Sequence, residues 1–197
     1  MLDGPLVFVD VDTQRDFLDP AGALPVPGAS AILPALARLT AFARDRGIPI
    51  LATACAHTPA DAEPFPPHCL LGTPGADRVP ATDWPGGLVV PPDGRLPDVG
   101  RPAHLTIQKR RYDAFSHPDA DRIVALYGAD RPTFVVYGVA TDYCVKAAVD
   151  GLLARGHRVA LVADAIRAVH PAAEPDLLTD FARRGALLTV TDVACGG

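Results

Sequence analysis

Thr133-Phe134-Val135-Val136-Tyr137 runs directly into Gly138-Val139-Ala140-Thr141-Asp142-Tyr143-Cys144-Val145-Lys146, and the reading of this stretch decides the fold. The first five residues are apolar, β-branched or aromatic and do not alternate with polar ones, as expected of a strand buried on both faces. Thr141 or Asp142 can cap a helix, and a helix-compatible run follows from Tyr143 to Ala154, ending at Gly156. Cys144 then falls in the first turn of a helix at the carboxyl end of a parallel strand. There the helix dipole and backbone N–H groups favour a thiolate and can hold a developing oxyanion. On position alone, Cys144 reads equally as a nucleophile or as a small core thiol.

Working outward, Leu6 to Val11 is a second apolar, β-branched run ending near Asp12. Pro20, Gly22, Pro25, Pro27 and Gly28 mark an irregular connection. Ser30 can then cap a helix whose apolar positions Ile32, Leu33, Leu36, Leu39, Phe42 and Ala43 keep helical spacing to Arg46-Gly47. Ile48 to Ala52 is the next strand, and this strand–helix–strand unit predicts a parallel sheet. After a long break come a strand at His104–Gln108, a helix around Asp119–Tyr127, a strand at Arg158–Ala163, a helix from Pro171 to Arg184 and a strand at Ala186–Val190. The sum is a single α/β domain over residues 1–197, with about six mostly parallel strands between two helical layers. Ligands in such sheets bind beyond the carboxyl ends of the strands, where Asp12, Lys109 and Cys144 are all predicted to lie.

The break, Thr53 to Ala103, is crowded with proline and glycine, and only Leu88-Val89-Val90 suggests a short strand. So long an irregular segment in one domain is expected to build a site or an interface. The chain of 197 residues is 49% apolar, enough for one sizeable core. A net charge of −5 and a pI near 5.6 give no electrostatic case for nucleic acid or anionic membrane. Lys109-Arg110-Arg111 is too short to be a binding stripe, and no apolar run reaches the length of a membrane span. With no basic-then-apolar leader pattern, the expectation is a soluble, cytoplasmic protein. Its four cysteines, at 55, 69, 144 and 195, form no CxxC pair and are read as free thiols.

A thiol that attacks an amide must lose a proton, and the leaving amine must gain one; a neighbouring carboxylate can do both in turn. A lysine beside them stabilises the charged forms. Each residue also has a plain structural reading: Asp12 as a turn or helix cap, Lys109 as a solvated loop residue, Cys144 as a core thiol. Three motifs resolve the choice by resemblance. Asp12-x-Gln14-x-x-Phe17, Lys109-x-x-Tyr112-x-Ala114-Phe115 and Gly138-Val139-Ala140-Thr141-Asp142-x-Cys144 occur in order, and the chain resembles the isochorismatase-like cysteine hydrolases, most of all their nicotinamidase-related branch. The resemblance implies an isochorismatase-like fold, Asp12 as general base and acid, Lys109 as its cationic partner and Cys144 as nucleophile. It also implies a cis peptide before Ala140 and an oxyanion hole from the N–H groups of Ala140 and Cys144. Homo-oligomers are common in the family.

By the same resemblance, Phe65-Pro66-Pro67-His68-Cys69 belongs to a segment that, with an upstream aspartate and histidine, binds a divalent metal. His57 and His68 match the two histidines, but Cys55 stands where the aspartate is expected. Cys55, His57, His68 and a carboxylate from Glu63 or Asp61 form a tetrahedral set in which a thiolate favours zinc; the alternative is a degraded site whose histidines only hydrogen-bond within the loop. Phe17, Phe65 and Tyr112 match positions around a flat substrate ring, or serve as core and lid packing. The expected activity is ammonia release from a small planar amide. The rivals are isochorismatase-type vinyl ether cleavage, hydrolysis of a carbamoyl compound, and a non-catalytic binding protein. Asp10 is either a second carboxylate near the site or a turn acceptor. Cys69 and Cys195 are read as structural thiols, and His104, His117, His157 and His170 as surface or loop residues.

Overall fold

The computed structural model describes residues 2–61 and 64–197. The first apolar run forms strand β1 (Leu6–Val11), followed by one turn of helix, α1 (Arg15–Leu18). Helix α2 (Leu33–Arg46) has proline in its first turn, and Gly47, at φ 64°, ends it in the left-handed conformation that glycine tolerates best. Strand β2 (Ile50–Cys55), the short β3 (Leu88–Val90) and β4 (His104–Lys109) come next, then α3 (Ala120–Gly128). Strand β5 (Thr133–Val139) leads through a wide π-helical turn, Thr141–Val145, into α4 (Lys146–Ala154). The chain closes with β6 (Arg158–Arg167), α5 (Glu174–Arg183), β7 (Leu187–Thr189) and α6 (Thr191–Ala194).

All seven strands are parallel, in the order β3-β4-β2-β1-β5-β6-β7. The expected six become seven because the isolated Leu88–Val90 run pairs with β4 as an edge strand. Side chains alternate between two cores, as a pleated strand requires. Val7, Val9, Val11, Ile107 and Val136 pack towards Ile123 of α3, Val149 of α4 and Phe181 of α5. Phe8, Ala52, Val135 and Tyr137 pack on the other face with Leu36 and Leu39 of α2. The three-layer reading therefore holds. Burying both faces accounts for the continuous apolar runs.

Strand order reverses direction at the β1–β5 pair, which opens the crevice expected at such a switch point. Two backbone features shape it. Gly138 has φ 115°, and a Cβ there would lie 2.1 Å from the Val11 carbonyl oxygen, so only glycine lets β5 run this close to β1. Asp12 leaves β1 at φ 49°, a conformation non-glycine residues seldom adopt, and it is fully buried.

Three expectations need correcting. β2 runs three residues past Ala52, because its register pairs Thr53 with Ile107 and Cys55 with Lys109. Neither Thr141 nor Asp142 caps the helix: Thr141 Oγ1 donates to Glu174, and the Asp142 carboxylate accepts the Val169 and His170 N–H groups. His104 is a buried strand residue stacked on Trp84, whereas His117 does lie in a loop, buried there with its ring bonded to the Pro91 carbonyl.

Candidate active site

Four strand ends deliver the site: Asp12 follows β1, Cys55 ends β2, Lys109 ends β4 and Cys144 follows β5. The Lys109 ammonium is the hub. Its Nζ lies 2.7 Å from Asp12 Oδ2, 3.3 Å from Cys55 Sγ and 3.7 Å from Cys144 Sγ. The Thr53 hydroxyl donates to Asp12 Oδ1 at 2.6 Å, so both carboxylate oxygens are held. The three expected residues are thus brought together, and Lys109 is a buried strand residue rather than a solvated loop one.

The charges in this buried crevice shape each other. Burial pushes the Asp12 carboxyl above its usual range, the nearby Cys55 adds to that, and Lys109 pulls against both. For Lys109, burial favours the neutral amine, but Asp12 and the two thiols together hold the ammonium well above the ordinary lysine value. A hydrogen bond between the thiols splits them. It draws Cys55 well below the usual thiol range, with Lys109 and the two histidines assisting against burial, and it pushes Cys144 well above, with burial assisting. The Cys55 thiol also donates to Asp12 Oδ2 at 3.7 Å.

Gln14, noted in the sequence only as part of a motif, supports Cys55 through its backbone. Its Nε2 donates to the Cys55 and Ala76 carbonyls, each at 2.8 Å, and its Oε1 accepts the Cys55 N–H at 2.7 Å. Asp16 ties α1 to the irregular segment by accepting the N–H groups of Ala23 and Cys69. Asp10 pairs with Arg78, whose guanidinium also reaches the Thr13 hydroxyl. It forms a structural ion pair rather than a second site carboxylate.

A pocket of about 80 Å³ opens over the thiols. Phe17, Phe65 and Tyr112 all line it, together with Ala140, Cys144 and Tyr143. The Tyr143 ring meets Phe65 edge-on at 5.3 Å and Tyr112 at 6.4 Å. Leu24 to Val26 and Val169 complete the wall; no sequence signal marked them, since chain segments remote in sequence converge there. Thr53 did carry a signal, being two residues from Cys55 on the same side of a strand. The Val139–Ala140 peptide is cis.

Cys55, His57 and His68 bring donor atoms within 4.8 Å of one another, and all three are buried. The His68 ring bonds the Pro66 carbonyl through Nδ1 at 2.8 Å, which fixes Nε2 as the lone-pair nitrogen, as an outer-shell partner does for a ligating histidine. Two imidazoles and a thiol held low in pKa suit a thiophilic divalent ion. Asp61 is not in this cluster; its carboxylate accepts the Thr58 N–H and hydroxyl in a local turn. Glu63 lies outside the described residues.

Fold and site together define an α/β protein with a cysteine–aspartate–lysine centre at the carboxyl edge of a parallel sheet. The chain belongs to the isochorismatase domain family, whose model matches residues 6–91 and 95–193. It is 27% identical over 194 residues to a nicotinamidase of Escherichia coli, covering 84% of each chain. It is 29% identical over 168 residues to a nicotinamidase/pyrazinamidase of Mycobacterium tuberculosis, covering 78% of this chain and 82% of that one. A pyrazinamidase of Pyrococcus horikoshii, solved in complex with zinc, superposes with a TM-score of 0.76 at 29% identity, covering 95% of this chain and 99% of its own. No helix among the described residues is long and apolar enough to cross a membrane.

Proposed function

We propose that this chain is a cysteine amidohydrolase that releases ammonia from a small planar amide of the nicotinamide type. The observation that carries the reading is Lys109 Nζ held between the Asp12 carboxylate and the Cys144 thiol at the base of an aromatic pocket. Relatives named as nicotinamidases and a pyrazinamidase support the substrate class.

Cys144 Sγ attacks the amide carbonyl while its proton passes to Asp12, whose carboxylate burial has made more basic than usual. The tetrahedral oxyanion is received by the N–H groups of Ala140 and Cys144. As the C–N bond breaks, Asp12 returns the proton to the nitrogen and ammonia leaves, with a thioester on Cys144. Water then gives its proton to Asp12 and attacks the thioester; the carboxylic acid departs and the thiol is restored. Lys109 keeps Asp12 able to ionise despite its burial. Phe17, Phe65, Tyr112 and Tyr143 present faces and edges that suit a flat ring.

Cys55, His57 and His68 would hold a zinc ion at the pocket wall. Zinc is the metal of the Pyrococcus horikoshii relative, and the nitrogen–sulfur donor set favours it. Bound there, the metal would supply a Lewis-acid position for a ring nitrogen or a water molecule.

An ammonia-release screen tests the reading with nicotinamide, pyrazinamide, biuret, carbamoyl amino acids and maleamate, each with and without zinc. Nicotinamide and pyrazinamide are expected to turn over fastest. Turnover confined to the non-aromatic substrates would overturn the substrate class.

A further inference from the structure

The site holds two thiols where the proposed mechanism uses one. Cys55 Sγ, Cys144 Sγ and an Asp12 carboxylate oxygen all lie within 4.8 Å of one another, and both thiols line the same solvent-reached pocket. They arrive from separate strands, so nothing local in the sequence requires their approach. A single ammonium, Lys109 Nζ, is close to both sulfurs. The remaining thiols are placed differently. Cys69 is wholly buried, with a pKa pushed up by burial, and Cys195 lies near Asp192 and Arg38, away from the pocket.

We propose that Cys55 and Cys144 form a reversible dithiol–disulfide pair, oxidised by hydroperoxides and acting as a cover for the nucleophile. In the first step one thiolate attacks the peroxide oxygen, the O–O bond breaks, and a sulfenic acid forms with release of water, or of an alcohol from an alkyl hydroperoxide. In the second step the other thiol attacks that sulfur, expelling its hydroxyl as a second water. The thiol pair gives up two electrons and two protons, and the peroxide takes both. A disulfide bond is about 2.05 Å long, so the sulfurs must close by less than about 3 Å, and each hangs on a single rotatable Cα–Cβ bond. Lys109 lies where it can stabilise the attacking thiolate and the departing hydroxide.

Cys55 is also a donor in the proposed metal site, so zinc bound through its thiolate and the disulfide exclude each other. Metal-loaded protein resists oxidation, and metal-free protein does not. The pair involves the nucleophile of the proposed function, but its formation is read by mass and is independent of turnover, so the two readings fail separately.

Chelator-treated protein exposed to equimolar hydrogen peroxide should lose two hydrogens by intact mass. Its free thiols should fall from four to two, with a Cys55–Cys144 cross-link in peptide maps. Dithiothreitol should restore all four thiols, and prior zinc loading should slow the cross-linking at least tenfold. In Cys55→Ser, equimolar peroxide should instead leave a single-oxygen sulfenic adduct on Cys144, and excess peroxide should carry it to adducts that dithiothreitol does not remove. A Cys69→Ser/Cys195→Ser variant should still cross-link, which keeps the test decisive if Cys55→Ser fails to fold. Oxygen adducts on wild-type Cys144 with Cys55 left as a free thiol, or a link from Cys55 to Cys69, would overturn the proposal.

Discussion

Lys109 Nζ and Asp12 Oδ2 make a 2.7 Å ion pair between two strand ends, with neither side chain more than 1% exposed. Such a pair is weak support for stability as a whole, yet losing one partner leaves an uncompensated buried charge that costs about 3–5 kcal/mol. Lys109→Met keeps the length of the side chain and removes the ammonium. It should destabilise the fold by about that amount in urea unfolding at neutral pH, and adding Asp12→Asn should recover part of the loss. A single variant within about 1 kcal/mol of wild type would mean that Asp12 is already neutral at rest.

Cys144→Ala should fold normally, since it removes one sulfur at a pocket wall, and should release ammonia at least about 10⁴-fold more slowly. Cys144→Ser should be nearly as inactive. Substantial turnover by either would reject the thioester route, and vinyl ether cleavage surviving in Cys144→Ala would favour the rival reaction.

Thr53 donates to Asp12 Oδ1, and a hydrogen bond to the charged form lowers a carboxyl pKa. Thr53→Val removes the donor at nearly constant volume, so the Asp12 pKa rises further. The acid limb of the kcat/KM profile should move to higher pH by about one unit, the equivalent of roughly 1.4 kcal/mol. An unmoved limb would show that Asp12 is not the titrating base.

His104 is stacked on Trp84 with no hydrogen-bond partner for either ring nitrogen among the described residues, and burial pulls its pKa down to about 3. Its unfolded pKa is about 6.5. Between those values the unfolded chain binds the extra proton, so stability rises with pH across this window and is fully present above it. At pH 5 the wild type should have lost about 2 kcal/mol of the contribution it has at neutral pH. His104→Phe retains the stacking and should lack this part of the slope. Parallel urea curves for the two proteins at both pH values would refute the assignment.

Purified protein, or protein reconstituted and desalted, should carry one zinc per chain by elemental analysis. His68→Ala should lose it. Cobalt-substituted protein should show a thiolate-to-metal charge-transfer band that vanishes in Cys55→Ser. Absence of metal after reconstitution would reduce His57 and His68 to loop-packing residues.

The strands were legible where burial on both faces leaves an unbroken apolar run, as in Leu6–Val11 and Thr133–Tyr137. Reading failed where small or polar residues occupy a strand. Thr53-Ala54-Cys55 looks like a loop, yet pairing with Ile107 to Lys109 makes it sheet. His104 looked like a surface residue because nothing nearby in sequence announces Trp84 above it. Thr141 and Asp142 have cap chemistry, but partners on the α5 side claim their side chains.

The nucleophile stretch by itself determined a strand, a turn and a thiol at the turn, because apolar runs and turn residues act over a few positions. Its companions Asp12 and Lys109 were recognisable from motif order. Their separation of 2.7 Å was not, because strand order and register are set by packing across the whole sheet. The same holds for Cys55. In the sequence it is a substituted metal ligand; only the tertiary structure puts its sulfur beside Cys144 as well, since β2 and β5 flank β1 and both end at one crevice.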